Sequence, residues 1–590
     1  MKKILSLVCG FAALMFASCA SDEPVAPDNG NNTVGDDEKV YASLTLRLPS
    51  SEGVRSNDGT EFGKDYENNV GKILVVLAKK NEQGRFTRLA AAESDAMLTD
   101  GQTAANEVKY TLNFNAKDFK NNPLTNPNSP VPGADDVYVF AFCNPTTFVH
   151  DRYFNNTSEF VLDNITGDLN NGTESEIWRN NQFLMTNCEI SQPVKIASRE
   201  DLVNKHNVPE KALDLGTVKV KRVCARFDYA TSTTTVGVNK FEVKSLDGTG
   251  NIGVVELTDM AMFNVQKDFY YLPHVANSWL WGEPSDSGVL DYTLCGDLEG
   301  YVMSANTDCF KNTMSSADDD AHFFSKLVNN DLAMTDHVGG DNLNWVSIRD
   351  KDWNNNHDSD NDEGWVETDA SGNVMSTKNN YRIWRYVTEN TIPQLKEGTA
   401  TKSQRYGITT GVVFKAEFTP NDKNVWNGNV IYVHNNIVYG DFNALKEYVN
   451  NNPDTKVAQD FAKVNNFKKD APLTENLLDG INNTDSKYNF KAYPATQIRN
   501  DEGEVVDYKY IMYYFYFNRH KSNGNNSLLG TDEFGVVRNN VYKLQVTSIR
   551  SLGEPKAPND PDTPNEQENA YFTVKCLVMP WTVRVNNIEF

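Results

Sequence analysis

Most apolar runs in this chain alternate with polar residues. Val40, Ala42, Leu44, Leu46 and Leu48 alternate with Tyr41, Ser43, Thr45 and Arg47. Near the other end, Phe572, Val574, Cys576 and Val578 alternate with Tyr571, Thr573, Lys575 and Leu577. Extended backbone puts every second side chain on one face, so a period of two predicts strands. Similar runs occupy 108–114, 137–143, 183–187, 217–229, 241–246, 254–257, 269–272, 381–387, 412–418, 430–433, 510–517 and 541–549. Lys72 to Leu77 (KILVVL) is continuously apolar and reads as a buried central strand. One helix is predicted, over Phe442 to Asn450, where Leu445 and Val449 share a face. Short strands joined by long polar loops argue for an all-β fold of sandwich type rather than βαβ units.

At 590 residues the chain exceeds a single core. Within Leu213 to Tyr229 one strand pattern ends and another begins. This divides the chain into a first domain over 39–215 and a second over 216–552, interrupted by an Asp- and Asn-rich insertion over 277–380. Residues 553–590 follow as a Pro-rich linker, with Pro555, Pro558, Pro561 and Pro564, and a closing strand-forming segment. Pro580 has no N–H to donate and is expected to break the ladder. A second strand then starts at Trp581, with Trp581, Val583 and Val585 on one face and Ile588 and Phe590 beyond. Such an end either completes its own domain or fills a groove in another molecule.

The chain carries 80 acidic and 56 basic residues, a net charge of −24. This repels nucleic acid, which needs a basic stripe. No HExxH, GxSxG, P-loop or GxGxxG pattern occurs, and His150, His274 and His520 stand isolated. Asp358, Asp360 and Asp362 alternate as in a Ca²⁺ loop. Glu363 stands where that loop wants glycine and Asp369 where it wants glutamate, so the stretch reads as a solvated acidic loop. No cofactor, metal or catalytic residue is expected, and nothing makes a positive case for an enzyme. Trp279, Trp281, Trp345, Trp353 and Trp365 read equally as hydrophobic plugs of a large loop region or as platforms that stack on glycans, which leaves one alternative function: glycan binding by a protein that stays anchored at the surface.

Lys2 and Lys3 precede an apolar run from Ile4 to Phe16, too short to span a membrane as a mature helix. Phe16-Ala17-Ser18-Cys19 then resembles the lipobox of bacterial lipoproteins. The resemblance implies a signal peptide over 1–18, acylation of Cys19 and a flexible tether over 19–38. Ser21-Asp22-Glu23 resembles the signal that sends some lipoproteins to the outer face of the outer membrane. Of the remaining cysteines, Cys143, Cys224 and Cys576 lie in strand patterns and read as buried thiols. Cys188 has no CxxC partner, and Cys295 and Cys309 lie in loop-like sequence as a candidate disulfide. After the first strand, Arg55 sits alone among small polar residues (EGVRSNDGT). That is good protease substrate, though composition alone makes it an ordinary loop arginine.

Several strings, in order, resemble the fimbrilin family, the type V pilus subunits of Gram-negative anaerobes, nearest the minor-fimbrium subunit type. They are Tyr513–His520 (YYFYFNRH), Val537–Leu544 (VRNNVYKL), Ile549–Pro555 (IRSLGEP), Met579-Pro580-Trp581, Tyr386–Thr391 (YVTENT) and Thr409–Phe418 (TTGVVFKAEF). The resemblance covers most of the chain and is loosest over 277–380. It implies two transthyretin-like β-sandwich domains and an assembly route. An outer-membrane lipoprotein is cut by an Arg-specific protease, here best at Arg55 with Arg47 the lesser candidate. The strand Val40 to Leu48 leaves, and a neighbouring subunit donates its C-terminal strand, here Trp581, Val583, Val585, Ile588 and Phe590. The implied partners are further copies, accessory tip or anchor subunits and the protease. The implied role is adhesion or colonisation.

Overall fold

The structure is a computed structural model. It describes residues 35–49, 61–95, 107–119, 136–156, 160–162, 166–169, 174–178, 182–244, 250–276, 280–281, 292–296, 301–305, 345–349, 353, 367–368, 374–376, 381–391, 394–395, 409–421, 428–435, 437–464, 490–521, 532–555 and 572–582. The fold is all-β, as the alternation requires, and its strands gather around two main cores.

The first core is built from β1 (Lys39–Arg47), β3 (Lys72–Lys80), β4 (Phe86–Asp95), β5 (Glu107–Asn115), β6 (Asp136–Cys143), β7 (Met185–Asn187) and β8 (Leu213–Arg222). They order as β4-β3-β6-β7-β8-β1-β5, with Val194–Lys195 on β6. The two end strands, β4 and β5, come back into contact, so the sheet curls around its own apolar interior. A two-residue strand, β2 (Glu61–Phe62), lies between β1 and β3 in the chain but pairs in a sheet of the second core. The sequence pattern does not reveal β4, because its centre is Ala90-Ala91-Ala92 rather than large apolar residues.

The second core lies between two sheets. One is β2-β20-β19-β9-β12, where β9 is Ala225–Tyr229, β12 is Arg382–Val387, β19 is Asn540–Ile549 and β20 is Phe572–Thr582. The other is β10-β11-β13-β18-β17: β10 (Lys240–Lys244), β11 (Asn251–Phe263), β13 (Gly411–Pro420), β17 (Ala495–Arg499) and β18 (Val505–Phe517). A small third cluster joins β14 (Ile431–His434), β15 (Ile437–Gly440) and β16 (Phe490–Tyr493) to two helices, Phe442–Asn451 and Lys456–Val464. The first helix is the one the sequence predicts, with Leu445 and Val449 buried and Asp441 accepting from the Ala444 N–H at its start.

The chain changes sheets at Val223–Cys224. β8 belongs to the first sheet and β9 to the second, so the 215/216 line falls inside β8. The second unit also reaches back into the first, because Phe269, Tyr271, Leu272, Leu294 and Cys295 pack in the first core. Cys295 is buried in the first core, and its Sγ lies 3.6 Å from the Asn187 carbonyl oxygen. Cys309 lies outside the described residues, as do Cys19, Arg55, the Asp358–Asp369 stretch, Trp279 and Trp365. No helix among the described residues is long and apolar enough to cross a membrane.

Candidate assembly site

β1 lies inside its sheet, antiparallel to β5 along its full length and parallel to β8 from Ala42 to Arg47. Val40, Ala42, Leu44, Leu46 and Leu48 are all buried, as their period of two predicts. Its two sides differ. The β8 side is a parallel ladder, which holds slightly less per residue. It is also interrupted: the register shifts between Ser43 and Thr45, opposite Leu215 and Gly216. Gly216 takes φ +75, a left-handed conformation that glycine adopts at no steric cost, and its N–H donates to Asp214 Oδ1 at 3.0 Å. Val40, Leu44, Leu46 and Leu48, at ~1.5–3 kcal/mol each, contribute roughly 6–12 kcal/mol gross to holding β1. Removing β1 would leave an apolar slot with unpaired backbone on β5 and β8.

Arg47, the lesser protease candidate, is ladder-bonded in β1, and its Nε donates to Glu107 Oε1 at 2.7 Å. A protease needs extended, accessible backbone, so folded β1 shields this arginine.

The closing segment begins as a strand of its own domain. β20 pairs antiparallel with β19 from Phe572–Ile549 to Pro580–Asn540. Phe572, Val574, Cys576 and Val578 face the second core, and Leu577 packs on the first. Pro580 does not break this strand, contrary to the sequence expectation. β20 has no outer neighbour among the described residues until Trp581, and a proline is tolerated on such an open edge. Trp581 and Thr582 continue the strand past the start of β19 and pair, in parallel, with Glu61 and Phe62 of β2. Val583, Val585, Ile588 and Phe590 lie beyond the described residues.

β2 runs into a one-turn helix, α1 (Asp65–Asn68), at the junction of the two cores. Glu67 there is wholly buried. Its carboxylate accepts two bonds from Arg226 Nη1 (2.9 and 3.1 Å), one from the Tyr386 hydroxyl (2.7 Å) and one from the Lys64 N–H (2.7 Å). Arg226 turns its other nitrogens to Asp228 at 2.8 and 2.9 Å, and Lys543 Nζ lies 3.7 Å from the same carboxylate. Arg222 donates to the Glu67 carbonyl at 3.2 Å, to Asn68 Oδ1 and to Asn539 Oδ1. Burial pulls the Arg222 guanidinium down to about 10. Burial, then the Glu67 carboxylate, push the Tyr386 phenol well above its usual range, so it acts as a donor.

A second buried pair closes the other side. Arg538 binds Glu389 at 2.7–3.1 Å and donates to the Tyr270 and Tyr271 carbonyls. The VRNNVYKL string is therefore the hub of the junction. Arg538 and Asn539 bind across it, Val541 enters the first core, and Tyr542 and Leu544 enter the second. The sequence marks this string by its residue order, but its reach across the junction needs the fold.

One of the five tryptophans of the glycan alternative is a core residue. Trp353 is fully buried, edge-on to Tyr229 in the second core, so it is a packing residue rather than a stacking platform. Trp345 is half-buried near Tyr513. Among the described residues no cluster of His, Cys, Asp and Glu could hold a metal ion.

Residues 508–587, which include the hub and β20, match the family model for the major fimbrial subunit protein type IV, fimbrillin, C-terminal. No curated protein sequence matches the chain. Among solved structures, a fimbrilin (FimA) of Porphyromonas gingivalis W83 is similar at 13% identity, over 92% of this chain and 98% of its own, with a TM-score of 0.33. The tip fimbrial protein Mfa3 of Porphyromonas gingivalis is similar at 10% identity, over 92% of this chain and 100% of its own, with a TM-score of 0.29.

Proposed function

We propose that this chain, which carries a fimbrillin C-terminal region over 508–587, is a structural subunit of a surface fimbria that matures by losing its first strand and polymerises by strand exchange. It reaches the outer membrane as a lipoprotein acylated on Cys19. An Arg-specific protease cuts at Arg55, and β1 leaves with the lipid. A neighbouring subunit then fills the slot between β8 and β5 with Val583, Val585, Ile588 and Phe590 of its C-terminal end. Trp581 stands at the root of that donor, because the structure holds it in β20. In this reading the two cores are transthyretin-like sandwiches, and the subunit works through surfaces rather than catalysis. Head-to-tail donation does not close on itself, so it yields a filament suited to adhesion and colonisation, with tip or anchor subunits at its ends.

The observation that carries the reading is the position of β1. It is a buried, doubly paired strand, and the chain runs on from it into the rest of the fold through the segment that holds Arg55. The test is the mature surface protein itself. N-terminal sequencing should begin at Ser56, and unheated gels should show a ladder that Arg55→Ala and deletion of 583–590 each abolish. A mature N-terminus upstream of β1, or ladders that survive both changes, would overturn the proposal.

A further inference from the structure

We infer that β2, held in place by Glu67, is the clamp that fixes where the donated C-terminal end begins. Trp581 and Thr582 lie past the start of β19, and among the described residues their only ladder partners are Glu61 and Phe62. Two residues of parallel ladder offer too few hydrogen bonds to offset the ordering of both chains. β2 must therefore be held from elsewhere, and the chain that follows shows how.

The Lys64 N–H bonds the Glu67 carboxylate and Asn68 Nδ2 bonds the Gly63 carbonyl at 2.9 Å. The Glu67 N–H returns to the Lys64 carbonyl at 2.8 Å. A one-turn helix has no stability of its own. Here it is nailed down by Arg226, Tyr386 and Arg222 on the crossing strands. Glu67 is thus a positioning residue. It orders 63–68, 63–68 orders β2, and β2 extends β20 by two residues.

The consequence rests on the strand-exchange reading above. A cut after Arg55 places the new N-terminus at Ser56, five residues before β2, while the clamp itself is untouched. The mature chain then keeps β2, near its processed N-terminus in sequence, paired to the root of its donor. The donor starts at Val583 with the clamp closed and at Trp581 with it open, which changes both its length and the residue that first enters a neighbour's slot.

The experiment compares wild type, Glu67→Gln, Glu67→Asp and the β2-only variant Glu61→Pro/Phe62→Pro, all as the full chain. Amide hydrogen exchange is read over 572–582, together with Tm and the polymer ladder after processing. The proline variant leaves the buried cluster alone, so it should keep its Tm while exchange at 581–582 rises at least tenfold and that at 572–578 stays fixed. Glu67→Gln should raise the same two amides, and Glu67→Asp should restore them in part. Polymer yield or subunit spacing should shift with exchange.

Unchanged exchange at 581–582 in both the glutamine and the proline variants would overturn the clamp, whatever the polymers do. Raised exchange with unaltered polymers would overturn its role in positioning the donor. In that case, deletion of 583–590 shows separately whether the donor assignment stands.

Discussion

Leu44 is the sharpest single probe of the excisable strand. It is fully buried at the middle of β1, next to the register shift on the β8 side. Truncating a buried leucine to alanine costs about 2–5 kcal/mol, the spread reflecting how far the site collapses. In the uncut chain that cost falls on the stability of the first core. After a cut at Arg55 it falls instead on retention of a fragment bound without a covalent link. The fragment's gross apolar hold of roughly 6–12 kcal/mol is opposed by about 4–15 kcal/mol of association entropy, so retention is finely poised. A loss of about 2–5 kcal/mol corresponds to roughly 30- to several-thousand-fold weaker binding, expressed mainly in the dissociation rate. The assay is to nick the purified precursor, follow fragment release by size exclusion and mass spectrometry, and measure anisotropy of a labelled 581–590 peptide. Leu44→Ala should release the fragment faster and take up the peptide sooner, whereas Val506→Ala, at an exposed position, should do neither. Release of the Leu44→Ala fragment at the wild-type rate would refute the reasoning. An emptied slot that rebinds a 39–48 peptide but ignores 581–590 would refute the donor.

Two further outcomes follow from the geometry. Arg47→Ala should leave processing unchanged while Arg55→Ala stops it, as read by the mature N-terminus. A block by Arg47→Ala would mean that β1 opens before it is cut. His520 Nδ1 lies 2.9 Å from the Tyr542 hydroxyl, and burial pushes its imidazole down from 6.5 to about 3. The folded state thus prefers the neutral ring. Stability from this group is full above 6.5 and falls as pH drops towards 3, because the unfolded chain takes up the proton first. His434 is shifted in the same direction by burial, so the measurement is the difference in Tm between wild type and His520→Gln from pH 7 to pH 5. That difference should narrow with acid, and a constant offset would contradict it.

How legible the fold was depended on which physics each part uses. Alternation located β1, β6, β13 and β19 within a few residues and the buried half of β18, because each buries one face along its length even where the other face is also partly covered. It missed β4, whose small alanines carry little signal, and β17, which is an edge strand with half-exposed residues. Pro580 misled because proline's effect depends on whether the outer edge is occupied, which is a tertiary fact. Trp353 fits a stacking residue or a hydrophobic plug equally well in sequence, and only the core it fills decides for the plug. At the candidate site, the apolar face of β1 was legible, but the clamp was not. Glu67 is one acidic residue in an unremarkable KDYEN stretch, and its partners lie about 160 and 320 residues away.

That distance makes the Glu67–Arg226 pair worth a complete cycle. Buried ion pairs are poor general stabilisers, because desolvating two charges offsets much of their attraction. Removing one partner is a different matter: it strands the other charge and costs about 3–5 kcal/mol. Glu67→Met should strand part of the Arg226 charge, although Asp228 still holds its other edge at 2.8 and 2.9 Å. Arg226→Met should strand Glu67, leaving it to Tyr386 and the Lys64 N–H. The double variant strands neither Glu67 nor Arg226, and the Asp228 carboxylate left to Lys543 at 3.7 Å is common to it and the Arg226→Met single, so its loss should fall short of the two single losses combined by at least about 1 kcal/mol, within the range measured for contacting residues. Urea unfolding of all four proteins gives the coupling. Additive losses would mean that the two residues act independently. The junction would then be held by its apolar contacts, such as Leu577 and Tyr386 on the first core, and the chain's change of sheet at Val223–Cys224 would owe nothing to the charges beside it.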